Sequence, residues 1–286
     1  MTKKRRIIIV AVLLLIAILS GVLIYEDKNI ELNTYEITSE DLLAEFDGYR
    51  IAHISDFHNA VFGKDNSKLV DMLKEAKPDI IAITGDIIDS RRTDIDISFA
   101  FVEQILRIAP CYYVTGNHEA RVSSEYVILK ERMVNAGVII LENDTLTIER
   151  EDAFIEIIGL EDPTFGVIGT TEEEAEVVAD VLPKLTIADD NFTLLLSHKP
   201  EFFDIYVENN IDLVLSGHAH GGQFIIPFVG GLIAPGQGFF PELDSGLFEK
   251  DGTKMIISRG IGNSIIPLRI NNRPEMILIE LHSGNK

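Results

Sequence analysis

The chain is short of sulfur, of turn-forming residues and of positive charge, and each shortage excludes something. A single cysteine, Cys111, rules out an intrachain disulfide, a thiolate zinc cluster and an iron–sulfur centre built from this chain alone. Only 21 glycines and 10 prolines in 286 residues, beside 46% hydrophobic and 25% charged residues, exclude collagen-like, low-complexity and disordered classes. Basic residues number 25 against 46 acidic ones, a formal charge of −21, and Lys3, Lys4, Arg5 and Arg6 are gathered at the N-terminus. A body this acidic repels phosphate backbones, so no nucleic-acid partner is expected. A phosphate-bearing substrate would need a local positive centre, such as bound metal.

Residues 7–25 contain neither charge nor proline. As a helix rising about 1.5 Å per residue they would reach roughly 28 Å, close to the thickness of a bilayer core. The basic cluster precedes them and Glu26, Asp27 and Glu31 follow, so the positive-inside rule keeps the N-terminus cytoplasmic and puts the body outside the cell membrane. A cleaved signal peptide is the alternative, but its apolar region is usually shorter and no Ala-x-Ala site is present. The sequence therefore predicts a signal anchor over 1–25 with a transmembrane helix at 7–25, a tether over 26–48 and a catalytic domain over 49–286.

Beyond the tether, apolar runs rich in β-branched residues alternate with helical patterns, which reads as α/β. Residues 66–77 put Leu69, Val70, Leu73 and Ala76 on one helical face before Pro78, and 97–108 repeat the pattern. Stretches 138–141, 146–148 and 154–158 read as hairpin-linked strands, 255–258 and 276–281 as two more, and the acidic run 171–180 as a solvated helix face. Two sheets are expected. Five runs share one ending: a strand meets a small residue and then a polar one. The endings are Asp56-Phe57-His58, Gly85-Asp86, Gly116-Asn117-His118-Glu119, Ser197-His198 and Gly217-His218-Ala219-His220. In open α/β sheets, sites form beyond the carboxyl ends of strands, so these side chains converge on one edge.

The convergent set is Asp56, His58, Asp86, Asn117, His198, His218 and His220, two carboxylates, one amide and four imidazoles. Such oxygen and nitrogen ligands suit divalent Mn, Fe, Co or Zn. Seven are too many for one ordinary site. If Asp86 bridges, two ions about 3.5–4 Å apart each receive four ligands, with room for a bridging hydroxide to act as nucleophile on a phosphoester. His118 is left over as the acid that protonates the leaving oxygen, and Asp89, three residues after Asp86, as the carboxylate that orients it.

Taken in order, Asp56-x-His58, Gly85-Asp86-x-x-Asp89, Gly116-Asn117-His118-Glu119, His198 and Gly217-His218-x-His220 resemble the calcineurin-like metallophosphoesterases. The resemblance implies an α/β sandwich of two mixed β-sheets flanked by helices. It also implies Asp56, His58, Asp86 and His220 on one ion and Asp86, Asn117, His198 and His218 on the other. The apolar N-terminus, Gly221-Gly222-Gln223 and the run 258–263 are similar to the membrane-attached bacterial branch that includes UDP-2,3-diacylglucosamine hydrolases. Asn59-Ala60 departs from the Leu-Gly that often follows the first histidine in that family, a difference at the substrate pocket.

Other polar residues read more plainly. His53 lies inside its strand and His282 in the terminal tail, and Cys111 starts its strand far from the ligand edge. Arg259, after a strand and before glycines, either grips a substrate phosphate or makes a salt bridge. The apolar stretch 224–241 is either a lid for an acyl chain or, the favoured reading, a hairpin packed on the second sheet. A membrane tether points to a phosphodiester or pyrophosphate on a lipid or envelope precursor. Hydrolysis of soluble external nucleotides or phosphodiesters is the alternative, and a non-catalytic metal-binding scaffold a third reading.

Overall fold

Alternation of buried β-branched runs with amphipathic helices builds two six-stranded mixed sheets, face to face. The computed structural model describes residues 2–185, 191–263 and 268–284. The first sheet has the order β1 (Glu31–Ser39), β16 (Glu275–Ser283), β2 (Tyr49–Ile54), β3 (Ile80–Thr84), β4 (Cys111–Val114), β5 (Ile139–Ile140). The second runs β14 (Gly246–Lys250), β15 (Thr253–Ile257), β9 (Leu213–Ser216), β8 (Thr193–Leu196), β7 (Ala153–Gly159), β6 (Asp144–Arg150). β2 to β5 are mutually parallel, as are β15, β9, β8 and β7, while β16 against β2, β14 against β15 and β6 against β7 are antiparallel.

Strands buried on both faces explain the near-continuous apolar runs of the sequence. Ile51, Ile80, Ala82 and Val114 of the first sheet meet Ile155, Leu194, Leu196, Leu213 and Ile256 of the second in the central layer. The outer face of the first sheet is covered by α2 (Ser67–Ala76), α3 (Ile95–Ile105) and α5 (Ser123–Ala136) through Leu69, Leu73, Phe101, Ile105, Leu129 and Met133. That of the second is covered by α6 (Thr171–Val181) and α7 (Phe203–Glu208) through Val178 and Tyr206. The α/β two-sheet sandwich expected from the sequence is therefore the fold.

The structure departs from the sequence reading in four places. Residues 7–25 do form a helix, α1 (Lys3–Lys28), but among the described residues no helix is long and apolar enough to cross a membrane, so the expected transmembrane helix is not supported. Charged residues occupy both ends of α1, and its last turn is fastened to the body. Asp27 Oδ1 accepts from Asn263 Nδ2 at 2.5 Å, Glu26 Oε2 from the Asn271 N–H at 2.9 Å, and Arg273 lies over the Tyr25 ring. Membrane attachment through this helix loses its basis with it. Residues 31–39, read as part of the tether, pair along their whole length with β16. β5 does not form a hairpin with β6: it joins the first sheet parallel to β4, and the chain then crosses to the second sheet, where β6 pairs with β7 as expected.

The stretch 224–241 forms two short ribbons, β10–β11 (Ile225–Ile226, Gly230–Gly231) and β12–β13 (Ile233–Ala234, Gly238–Phe239). Ala234 alone among its side chains enters the core of the second sheet, while Phe228, Phe239 and Phe240 face solvent. The packed hairpin favoured from sequence is thus largely unpacked, because its ribbons stand on backbone pairing rather than on apolar contact.

Candidate metal centre

All five ligand-bearing endings prove to be strand ends, three in the first sheet and two in the second, and the loops beyond them bend sharply. Asp56, His58, Asp86, His218 and His220 all have positive φ, between 47° and 65°. A non-glycine residue in that region costs roughly 1–2 kcal/mol, and such strain persists where surrounding structure over-determines it, chiefly at functional sites. The loops are pressed together as well. A Cβ at Gly116 would overlap Asp86, and one at Gly217 would overlap Ser55 and Asp56, so glycine is required at both for the carboxylates to reach the centre.

The side chains gather in two groups that share one carboxylate. Asp56 Oδ1 lies 3.1 Å from His220 Nε2 and 3.7 Å from His58 Nε2, and those two nitrogens are 3.3 Å apart. Asp86 Oδ2 is 3.3 Å from His198 Nε2, whose nitrogen is 3.2 Å from His218 Nδ1 and 3.3 Å from Asn117 Oδ1. Asp86 Oδ2 also lies 3.7 Å from His58 Nε2. Both groups, Asp56–His58–His220 and Asp86–His198–His218, have the spacing of a site that could hold a metal ion, as does His58–Asp86–His118.

The donor set fits a cation. Asp56 Oδ1 is buried without a hydrogen-bond partner among the described residues although it points at two imidazole nitrogens. His198 donates Nδ1–H to the Thr84 carbonyl at 2.7 Å, which turns the Nε2 lone pair inward. Burial opposes a charged ring there, yet Asp86 overrides it and pushes His198 up to about 10. Burial likewise favours protonated carboxyls, but His220 and His58 hold Asp56, and His198 and His118 hold Asp86, below the ordinary carboxylate range. The cluster thus draws positive charge to its centre.

The Asn117 amide points the same way. Its inner atom lies 3.3 Å from His198 Nε2 and 3.0 Å from His218 Nδ1, and its outer atom 2.8 Å from both Nη atoms of Arg121. With the oxygen outward, Arg121 donates to it and the NH2 donates to the two imidazoles. With the oxygen inward, it faces His198 Nε2 and His218 Nδ1, and a positive charge between them, a proton on His198 or a metal ion, resolves the contact.

His118 stands at the start of α4 (Asn117–Arg121), with Nε2 3.8 Å from Asp86 Oδ2. Its Nδ1 accepts the Ser90 N–H at 3.0 Å, so the neutral ring carries its proton on the inward Nε2. Asp89 Oδ1, the expected orienting group, is 3.7 Å from Nδ1, beyond hydrogen-bond reach, and accepts the Arg91 N–H instead. Burial, with His58 and Arg121 adding to it against Asp86, pushes His118 down to about 4. Arg259 does not face the centre: its guanidinium is held by Glu31 at 2.7 Å and Glu275 at 2.9 Å, which selects the salt bridge over the phosphate grip.

Sequence reasoning passed over three supporting carboxylates. Glu119 is fully buried and accepts the N–H groups of Asp86, Ile88 and Gly116, tying two ligand loops together. Its place in the Asn-His-Glu run was the available signal. Glu201 Oε1 lies 3.6 Å from His218 Nε2, and Glu174, from the acidic helix read as solvated, binds the buried Lys199 at 2.6 Å. No local pattern distinguishes these two from surface acids.

Two clefts flank the cluster. One, of about 440 Å³, runs from His58 and Asp89 to Asp27 and Arg92; the other, of about 330 Å³, runs from Asn117 and His218 past Arg121 to Thr164 and Thr171.

The family model described as calcineurin-like phosphoesterase matches residues 49–222. The uncharacterized metallophosphoesterase YkuE of Bacillus subtilis is 30% identical over 268 residues, covering 91% of this chain and 88% of that protein. Its compatriot YkoQ, also an uncharacterized metallophosphoesterase, is 28% identical over 253 residues, 87% of this chain and 89% of YkoQ. Phosphodiesterase YaeI of Escherichia coli is 28% identical over 241 residues, 82% of each chain. These matches, on a strand-edge cluster of carboxylate, amide and imidazole, show that the chain belongs to the calcineurin-like phosphoesterases, metal-dependent hydrolases of phosphoester bonds.

Proposed function

We propose that the centre holds two divalent ions, Mn, Fe, Zn or Co, and hydrolyses a phosphodiester or pyrophosphate bond. The observation that carries this reading is the position of Asp86 Oδ2 between the two groups, 3.7 Å from His58 Nε2 and 3.3 Å from His198 Nε2. Asp56, His58, Asp86 and His220 would hold one ion, and Asp86, Asn117, His198 and His218 the other. When bound, the pair would polarise the phosphoryl group and lower the pKa of the attacking water. His118 directs Nε2 at the same region; as the charged imidazolium it hands the Nε2 proton to the leaving oxygen and returns to the neutral ring. Once its ring is charged, Nδ1–H needs an acceptor, and Asp89, 3.7 Å away, is the nearby carboxylate. The name of the relative YaeI favours a diester.

Metal analysis of the purified chain, with turnover of bis(4-nitrophenyl) phosphate in added Mn²⁺, tests this. Two ions per chain and metal-dependent turnover are expected; one ion, or turnover indifferent to a chelator, rejects it. A lipid-linked substrate is favoured within this reading by Phe228, Phe239 and Phe240, exposed on ribbons that follow His220. Replacing the three by serine should lower activity on a lipid-linked diester and leave the soluble one unchanged. Equal activities on both would discard the lipid reading.

A further inference from the structure

We infer that Arg121 is a substrate-binding residue that is released for that task when an ion occupies the Asn117 side of the centre. This rests on the two-ion reading and extends it to the second cleft. The starting point is the Asn117 amide, whose outer atom touches both Nη atoms of Arg121 at 2.8 Å while its inner atom faces His198 and His218. Only one of the two atoms is an oxygen, so the guanidinium and a cation compete for it.

With the oxygen outward, Arg121 is satisfied and the imidazole lone pairs take the amide hydrogens. With the oxygen drawn inward, NH2 and guanidinium stand donor to donor at a hydrogen-bond distance, an arrangement that cannot persist. Arg121 must then leave, and little in its surroundings takes it up. No carboxylate pairs with it among the described residues, in a chain of charge −21. In the same cleft, Lys199 is already bound to Glu174 and Glu201 faces His218. The Arg121 side chain is exposed on the wall of the 330 Å³ cleft that opens onto Asn117 and His218. An anionic oxygen entering there meets a planar five-donor fork suited to bidentate phosphoryl contact. The cleft on the His58 side offers no equivalent exchange: among the described residues Lys28 meets Asp27 and Arg92 meets Asn59 through its carbonyl, and neither meets a candidate ligand. The anion bound is a phosphoryl group of the substrate, and the ion prepares its site.

The test uses the full chain and two probes, Mn²⁺ and inorganic phosphate, titrated calorimetrically into the wild type, R121A and R121K. In R121A the ion should bind at least as tightly as in the wild type, because its competitor for the Asn117 oxygen is gone. Phosphate binding to the Mn²⁺-loaded protein should weaken about tenfold or more, and R121K should recover part of it without the bidentate fork. Phosphate affinity unchanged in R121A overturns the inference. So does a parallel loss of Mn²⁺ affinity, which would make Arg121 a support for Asn117 rather than a contact for substrate. A wild type that binds no Mn²⁺ removes the two-ion reading itself, and this inference with it.

Discussion

The two halves of the centre are alike in their ligands and unlike in what stands behind them. On the Asp86 side, His198 leans on the Thr84 carbonyl and His218 faces Glu201. On the Asp56 side the carboxylate is held, Oδ2 accepting Ser55 Oγ at 2.6 Å and the His218 N–H at 3.1 Å, but the outer nitrogens of His58 and His220 have no hydrogen-bond partner among the described residues. Groups behind a ligand fix its tautomer and raise its basicity, and losing one typically costs about 10–100-fold in metal affinity. Similar ligand counts therefore do not make equal sites. The Asp86 half should hold its ion more tightly, and graded chelation should empty the Asp56 half first.

The strongest way to break the comparison is to remove the residue both halves share. Asp86→Ala should abolish binding of both ions and reduce turnover to background, because Oδ2 lies within reach of His58 and His198 alike. Metal content of the purified variant decides this: two ions retained per chain would end the bridging assignment. His118→Ala should leave both ions in place and lower turnover by about 10²–10⁴-fold. Near-normal rates on a diester with a poor leaving group would remove His118 from the chemistry.

How much of this could be read beforehand depends on whether a residue acts through local pattern or through a distant partner. The five strand endings were legible because a buried parallel strand writes itself as a β-branched run, and a ligand at its end breaks that run with a polar residue. β3, Ile80–Thr84 running into Gly85-Asp86, is the plainest case. The supports were not legible. Ser90 orients His118 with its backbone N–H, Thr84 orients His198 with its carbonyl, and neither leaves a mark on side-chain identity. Glu174 and Lys199 are 25 positions apart and meet only after folding. The N-terminal run misled for a related reason: absence of charge over 7–25 says nothing of the contacts that Asp27, Glu26 and Tyr25 make with Asn263, Asn271 and Arg273.

Glu201→Gln sharpens the comparison between halves without touching a ligand. Burial pushes Glu201 up to about 7, and its Oε1 is 3.6 Å from His218 Nε2, so the amide keeps the volume and loses the anion. Mn²⁺ affinity of the Asp86 half should fall by about tenfold, with the other half unaffected, bringing the two affinities closer together. Calorimetry in which both steps weaken equally would show that Glu201 supports the fold and not His218.

The smallest effect expected is at Asp89, and the reason lies in the division of labour around His118 Nδ1. The neutral ring already has its hydrogen bond there, from the Ser90 N–H at 3.0 Å, while Asp89 at 3.7 Å becomes a partner only when the ring is charged. Its Oδ1 accepts the Arg91 N–H, and an amide oxygen can do the same. Asp89→Asn should therefore preserve the loop and leave ion content and KM unchanged. Its kcat should fall by less than about tenfold, well short of the loss at His118. The deficit should also depend on the leaving group, vanishing with 4-nitrophenolate, which departs without a proton, and growing with alkoxides, which need one. A loss of the same size for both leaving groups would mean that Asp89 merely stabilises its loop, and a loss as large as that of His118→Ala would mean that the carboxylate, not the Ser90 amide, sets the imidazole in place.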